Sequence, residues 1–182
     1  VYGVMGDPIA QSMSPLVHNR AFRHANLNKV YLPFRIPRED VPSFLDDAKH
    51  LGLHTELGSP GLAKLWQRGI LDNSLKTIHR GKSVAVAWSG CDGEDLRIIA
   101  NNPAFELHDP DYLLNPLLMA QNRNMTSINS AIAVDLIGQI ASEDRFGGHM
   151  VNGTGGQPDT HIAAALCKGG RAITVMRSTA LE

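Results

Sequence analysis

The chain has little with which to build a disulfide framework, a metal centre or a membrane span. It holds two cysteines, Cys91 and Cys167, in 182 residues. Such a pair makes no framework, and reduced thiols in a cytoplasmic setting are the default expectation. Neither cysteine stands at a metal-ligand spacing from a histidine, the eight histidines are scattered and HExxH does not occur, so no metal site is predicted. No apolar run approaches the ~18 residues that a transmembrane helix needs. No basic segment followed by an apolar one marks a signal peptide, and because strand-like residues begin at Val1 the chain reads as a fragment or as trimmed at its start. A formal net charge of −1 leaves no electrostatic footprint for nucleic acid or an anionic membrane, and neither is an expected partner.

What is present is an ordinary globular composition, 43% hydrophobic and 19% charged, long enough for one large domain or two small ones with a real core. Val1 to Met5 reads as a strand stopped by Gly6-Asp7-Pro8. Ser14-Pro15 supplies an N-cap and a proline at the first helical position, after which Leu16, Val17, Ala21, Phe22 and Ala25 keep helical spacing. Val30 to Phe34 reads as a second strand. Pro37 to His50 reads as a second helix with Val41, Phe44, Leu45 and Ala48 on one face. This βαβα unit predicts two parallel neighbouring strands.

The first loop carries a pattern. Gly6-Asp7-Pro8-Ile9-Ala10-Gln11-Ser12-Met13-Ser14-Pro15, followed by His18-Asn19, resembles the N-terminal signature of shikimate dehydrogenases (GxPIxxSxSPxxHN). The resemblance implies that the hydroxyls of Ser12 and Ser14 hydrogen-bond a substrate carboxylate. Paired hydroxyls beside a helix N-terminus suit an anion. Without the motif, Ser14 reads as a helix cap and Ser12 as a turn residue. The rest of that family's pattern is absent: there is no TxPxK for a catalytic lysine and no NTDG for its aspartate partner. Gly153-Thr154-Gly155-Gly156 puts Pro158 where the third glycine of GxGxxG belongs. A working shikimate dehydrogenase is not predicted.

From Leu51 the pattern changes. The apolar run Leu51 to Leu53 predicts a short strand, with Glu56 where that strand gives way to a helix started by Ser59-Pro60-Gly61 and faced by Leu62, Leu65 and Trp66. Lys82 to Trp88 alternates as a strand. Asp92 to Asn101 is predicted as a short helix and Phe105 to His108 as a brief strand. Pro110 to Gln121 reads as broken helix. Met125 to Ile132, Ala133 to Ile140 and His149 to Asn152 have strand character, Pro158 to Cys167 reads as a helix, and Ala172 to Met176 as a last strand. Alternating strands and helices predict a layered α/β domain.

His54-Thr55-Glu56, the run from Gln121 to Ala131, Val134-Asp135-Leu136-Ile137-Gly138-Gln139, Gly153 to Asp159 and Arg177-Ser178-Thr179-Ala180 occur in order along this region. From about residue 52 the chain resembles the C-terminal domain of the acetyl-CoA hydrolase/transferase family, in particular its 4-hydroxybutyrate and butyrate CoA-transferase branch. The fold expected is therefore α/β: a shikimate-dehydrogenase-like βαβα fragment over residues 1–50, then a layered CoA-transferase-like domain over 51–182.

The resemblance implies a glutamate nucleophile matching Glu56, an active-site asparagine matching Asn129, and an oxyanion-stabilising glycine loop matching Gly155 and Gly156. It implies coenzyme A as a substrate, no tightly bound cofactor, and small-molecule acyl-CoA and carboxylate partners. Read without their motifs, Glu56 is a solvated turn residue and Asn129 an edge or turn amide. The glycines then form a tight turn into a helix, and His54 and His149 are packing or surface residues.

Two departures stand out. Pro60-Gly61 occupies the place of an Asp-Gly, and the N-terminal half that supplies part of the family's CoA cleft is not in this sequence. The alternatives to CoA-transferase or acyl-CoA hydrolase chemistry are an inactive fusion or binding module, and a shikimate-binding remnant. An exposed cleft face would make oligomerisation an expectation.

Overall fold

A computed structural model describes residues 2–6, 19–20, 23–24, 26, 31–35, 49–144 and 148–176. The chain divides into two units, Val1–Ala48 and Lys49–Glu182. In the first, β1 (Tyr2–Gly6) and β2 (Tyr31–Arg35) pair in parallel, with Tyr2 opposite Tyr31 and Gly6 opposite Arg35. Asn19–Arg20 and Arg23–His24 are helical. Parallel pairing is what a right-handed strand–helix–strand connection dictates. Ser12, Ser14 and residues 37–48 of the helix predicted over Pro37 to His50 lie outside the described residues, and its last two residues, Lys49 and His50, are not helical.

The second unit is α/β. β3 (His54–Gly58), β4 (Ser83–Trp88) and β5 (Phe105–Leu107) form a parallel sheet in the order β3-β4-β5. β4 is central because its small apolar residues tolerate neighbours on both sides; Val84 and Ala85 are fully buried. The connections carry α1 (Leu62–Gln67) and α2 (Gly93–Ile99). Asp92 caps α2 by accepting from the amides of Glu94 and Asp95 at 2.8 and 2.9 Å. Phe105 receives Trp66 and Trp88 edge-on, at ring separations of 5.3 and 5.5 Å.

The Pro110–Gln121 stretch forms two single turns, α3 (Pro110–Leu113) and α4 (Pro116–Met119). Each has a capping Asp or Asn before a proline at its start. Leu113 and Met119 anchor them in the core at 0% exposure. Beyond them, β6 (Thr126–Ser130) pairs in parallel with β9 (Arg171–Val175), and α5 (Gln157–Leu166) packs on that pair. β7 (Ala133–Val134) and β8 (Ile140–Ala141) make a small antiparallel hairpin. Asp135 closes it by accepting from the amides of Ile137 and Gln139.

Three expectations need correcting. Ala133 to Ile140 is not one strand: it turns back on itself at Asp135–Gln139 as the β7–β8 hairpin. The strand near the start of this unit is His54–Gly58, not Leu51–Leu53. Leu51 spends its backbone groups on a loop, donating to the Ile70 carbonyl and accepting from the Asn73 amide, both at 2.9 Å. The ladder with β4 begins only where His54 faces Val84. Glu56 is therefore the third residue of a five-residue strand. The stretch from His149 to Asn152 is not a strand: the amides of Val151 and Asn152 both turn to the single carbonyl of Glu143, at 2.6 and 3.2 Å.

Candidate active site

The edge strand that carries Glu56 is fastened at its entry. Asn73, fully buried, accepts from the Leu53 amide at 2.8 Å and donates to Ser83 Oγ at 2.9 Å, tying the start of β3 to the start of β4. The Lys76 ammonium donates to the carbonyls of Leu53 and Lys82, both at 2.7 Å. Burial lowers its pKa to about 8, against a smaller opposing pull from Glu106. With the register so fixed, strand alternation puts His54 and Glu56 on one face of the sheet and Thr55 and Leu57 on the other.

On that face Glu56 meets the glycine loop. Its Oε2 accepts from the Gly156 amide at 2.6 Å, a contact across 100 residues. Gly156 is the N-cap of α5, so a carboxylate sits at the electropositive end of a ten-residue helix. The bond is short, as expected when the acceptor is charged. Oε1 has no hydrogen-bond partner among the described residues. Close approach requires the glycine: a Cβ on residue 156 would stand 2.8 Å from Oε2 and 3.2 Å from both Leu114 methyls. Gly155 is required for a different reason, its left-handed φ of 56°.

Glu56, Gly155 and Gly156 thus come together, while Asn129 is placed otherwise. It lies on β6, and its amide nitrogen is within reach of Ser127 Oγ (2.8 Å), Thr160 Oγ1 (2.9 Å) and His161 Nδ1 (3.0 Å). Ser127 donates to Thr160, which donates to the Gln157 carbonyl, each at 3.0 Å. With Nδ1 as acceptor, His161 carries its proton on Nε2 and donates to Thr174 Oγ1 at 3.3 Å. Asn129 therefore grips the first turns of α5, the helix whose N-terminus meets Glu56. The last of the motif segments, Arg177 to Ala180, lies outside the described residues, as do Ser12 and Ser14.

A histidine cluster beside the site is visible only in three dimensions. The rings of His54 and His79 lie 6.0 Å apart, His79 and His108 5.2 Å, and His108 and Tyr112 5.3 Å. His79 Nε2 is 2.9 Å from the Tyr112 hydroxyl, and His54 Nε2 is 2.7 Å from the Leu113 carbonyl. Burial is the main reason that the His54 pKa falls to about 4; Lys76, His79 and His108 push the same way and the Leu113 carbonyl opposes. Glu106 binds Lys82 at 3.0 Å and His108 at 3.3 Å. Among the described residues no group of three or more His, Cys, Asp or Glu is arranged to hold a metal ion. Only the His54–Glu56 spacing signals any of this in the sequence; Leu114, Tyr112, Thr160 and His161 lie too far along the chain to be linked by pattern.

Residues 95–182 match the acetyl-CoA hydrolase/transferase C-terminal domain, and residues 4–55 match the shikimate dehydrogenase substrate binding domain. The later part of the chain thus resembles the C-terminal domain of CoA-transferases, as its motifs indicate.

More particularly, it is 42% identical over 137 residues to 4-hydroxybutyrate coenzyme A transferase of Clostridium kluyveri, covering 75% of this chain and 32% of that one. Its fold matches the crystal structure of RipA from Yersinia pestis (TM-score 0.66, 37% identity, 78% of this chain and 30% of that one). It also matches 4-hydroxybutyrate CoA-transferase from Porphyromonas gingivalis (TM-score 0.65, 34% identity, 77% and 32%). The chain spans about a third of the length of the curated CoA-transferases it matches.

Proposed function

We propose that this chain carries the nucleophile half of an acyl-CoA:carboxylate CoA-transferase site, working through a glutamyl-CoA thioester on Glu56. The observation that carries the reading is the 2.6 Å bond from the Gly156 amide to Glu56 Oε2, which leaves Oε1 without a partner among the described residues. Oε1 attacks the thioester carbonyl, the C–S bond breaks, and coenzyme A departs as thiolate from a mixed anhydride.

The thiolate then attacks the glutamyl Cδ. The negative charge of that tetrahedral intermediate grows on Oε2, where the Gly156 amide already points. Collapse expels the carboxylate and leaves the thioester. An incoming carboxylate reverses the sequence, or water ends it as hydrolysis. A carboxylate suits the task because its anhydride and thioester are both reactive, so the coenzyme passes either way. Asn129 supports the site through its hold on Thr160 and His161 of α5.

Incubation with an acyl-CoA, borohydride reduction and peptide mass spectrometry tests the reading. It expects reduction at Glu56 and none in Glu56→Gln. An unmodified Glu56 rejects it, and a calorimetric titration with acyl-CoA that gives no heat on cooperatively melting protein favours an inactive fusion.

A second reading has its own support in the match over residues 4–55. There Ser12 and Ser14 bind a shikimate-like carboxylate, and an NMR titration with shikimate that leaves both residues unshifted rejects it.

A further inference from the structure

The face of β3 that carries Glu56 also carries His54, and a path joins the two through α3. A carbonyl oxygen only accepts, so the 2.7 Å contact with the Leu113 carbonyl places the His54 proton on Nε2. Nδ1 is then a bare lone pair, buried and without a partner among the described residues. Burial disfavours a charge on this ring, and Lys76, His79 and His108 add to that, so its pKa is lowered to about 4. Leu113 is fully buried and closes α3. The next residue, Leu114, sets both its methyls 3.2 Å from the point where a Gly156 Cβ would stand, and that same point is 2.8 Å from Glu56 Oε2. α3 has four residues, too few for a helical turn to hold itself. Its place is therefore set by the Leu113 anchor, by Tyr112 on His79, and by His54.

We propose that His54 is a positioning residue for the nucleophile: its Nε2–H bond to the Leu113 carbonyl sets the α3 turn so that Leu114 walls the contact between the Glu56 carboxylate and the Gly156 amide. The wall keeps water from that bond, and a hydrogen bond in a drier setting is stronger. The catalytic sense of this assignment rests on the proposed role of Glu56; its structural sense does not.

The experiment separates the two. His54→Leu keeps the bulk and removes the donor, whereas His54→Gln places an amide N–H near the position of Nε2. The first readout is the Gly156 amide proton resonance, which a short bond to a carboxylate shifts downfield whether or not the chain turns over. The second is the rate and acyl-CoA dependence of thioester trapping at Glu56. His54→Leu is expected to move the Gly156 resonance upfield and to slow trapping about tenfold at saturating acyl-CoA, with little change in half-saturation. His54→Gln is expected to restore both to within about twofold of the unaltered protein.

If the unaltered protein traps nothing, the reaction assigned to Glu56 fails while the Gly156 resonance still judges His54. A folded His54→Leu with an unchanged Gly156 resonance overturns the proposal, and so does a His54→Gln as impaired as His54→Leu. Should His54→Leu not fold, Leu114→Ala decides in its place, since it keeps the histidine bond and removes the wall. An upfield Gly156 resonance there supports the proposal, and an unshifted one overturns it.

Discussion

Replacing Gly156 by alanine isolates the central contact. The backbone at that position, φ −87° and ψ 7°, is open to any L residue, so the substitution brings no dihedral strain. Its whole effect comes from one methyl, 2.8 Å from Glu56 Oε2 and 3.2 Å from the two Leu114 methyls. Relief requires the carboxylate to withdraw by roughly half an ångström, which takes it off the 2.6 Å amide bond. A hydrogen bond to a charged group contributes about 1.5–3 kcal/mol.

The proposed chemistry says where that energy is lost. Attack of Oε1 on the acyl-CoA does not need the amide, but attack of thiolate on Cδ loads charge onto Oε2. Glutamyl-CoA formation is then expected to slow by about 10- to 150-fold while anhydride formation is spared. Rapid-quench trapping with borohydride reads the thioester directly. A folded Gly156→Ala that forms glutamyl-CoA within twofold of the unaltered rate would refute the reasoning. Gly155→Ala is the internal contrast: its Cβ meets Oε2 at an ordinary 3.4 Å, but its φ of 56° costs an alanine about 1–2 kcal/mol. It should lose stability in a urea melt and keep the chemistry once folded.

Three further outcomes follow from the same geometry. Glu56→Gln retains an oxygen to accept the Gly156 amide, so its melting temperature should stay within a few degrees while all labelling disappears; a large drop in melting temperature would show that the charge holds the loop. Asn73→Ala removes the bonds to the Leu53 amide and Ser83 hydroxyl at a fully buried position with φ 57°. A loss of about 2–4 kcal/mol in urea denaturation is expected, and a loss below 1 kcal/mol would mean that β3 is anchored elsewhere. His54 is depressed from 6.5 to about 4 by burial. The unfolded chain therefore binds a proton that the folded chain refuses between those values. Stability should be fullest above pH 6.5 and fall by up to about 3 kcal/mol as the pH drops toward 4. Equal pH slopes for the unaltered protein and His54→Gln would contradict that assignment.

The parts of the fold legible in the sequence are those whose signals are local. Asp92 before α2, and the Asp and Asn before the prolines of α3 and α4, cap their helices through their own backbone neighbours. The α/β alternation follows from spacing alone. Apolarity misleads as a strand signal at two places. Leu51 is apolar yet serves a loop partner, and Met150 and Val151 are apolar yet 77% and 67% exposed. The resemblance singles out Asn129, but its grip on Thr160 and His161 spans 31 and 32 residues. No local pattern carries a contact of that length.

Glu56 shows why the failure at β3 has physical content. A strand reading His-Thr-Glu-Leu-Gly looks poorer than the leucines before it because two of its residues make long-range polar contacts, His54 with the Leu113 carbonyl and Glu56 with the Gly156 amide. A glutamate at a strand's end could swing into solvent and need no partner. In mid-strand its backbone is held between Thr55 and Leu57, which pair with Ala85 and Ala87 of β4, so the half-buried carboxylate needs a donor brought to it. That donor is an amide 100 residues away at the start of a helix, admitted by a residue with no side chain and walled by Leu114. The apolar run and the polar strand after it thus divide the labour: the first ties the backbone to the neighbouring loop, and the second presents a carboxylate that only the fully folded unit can hold.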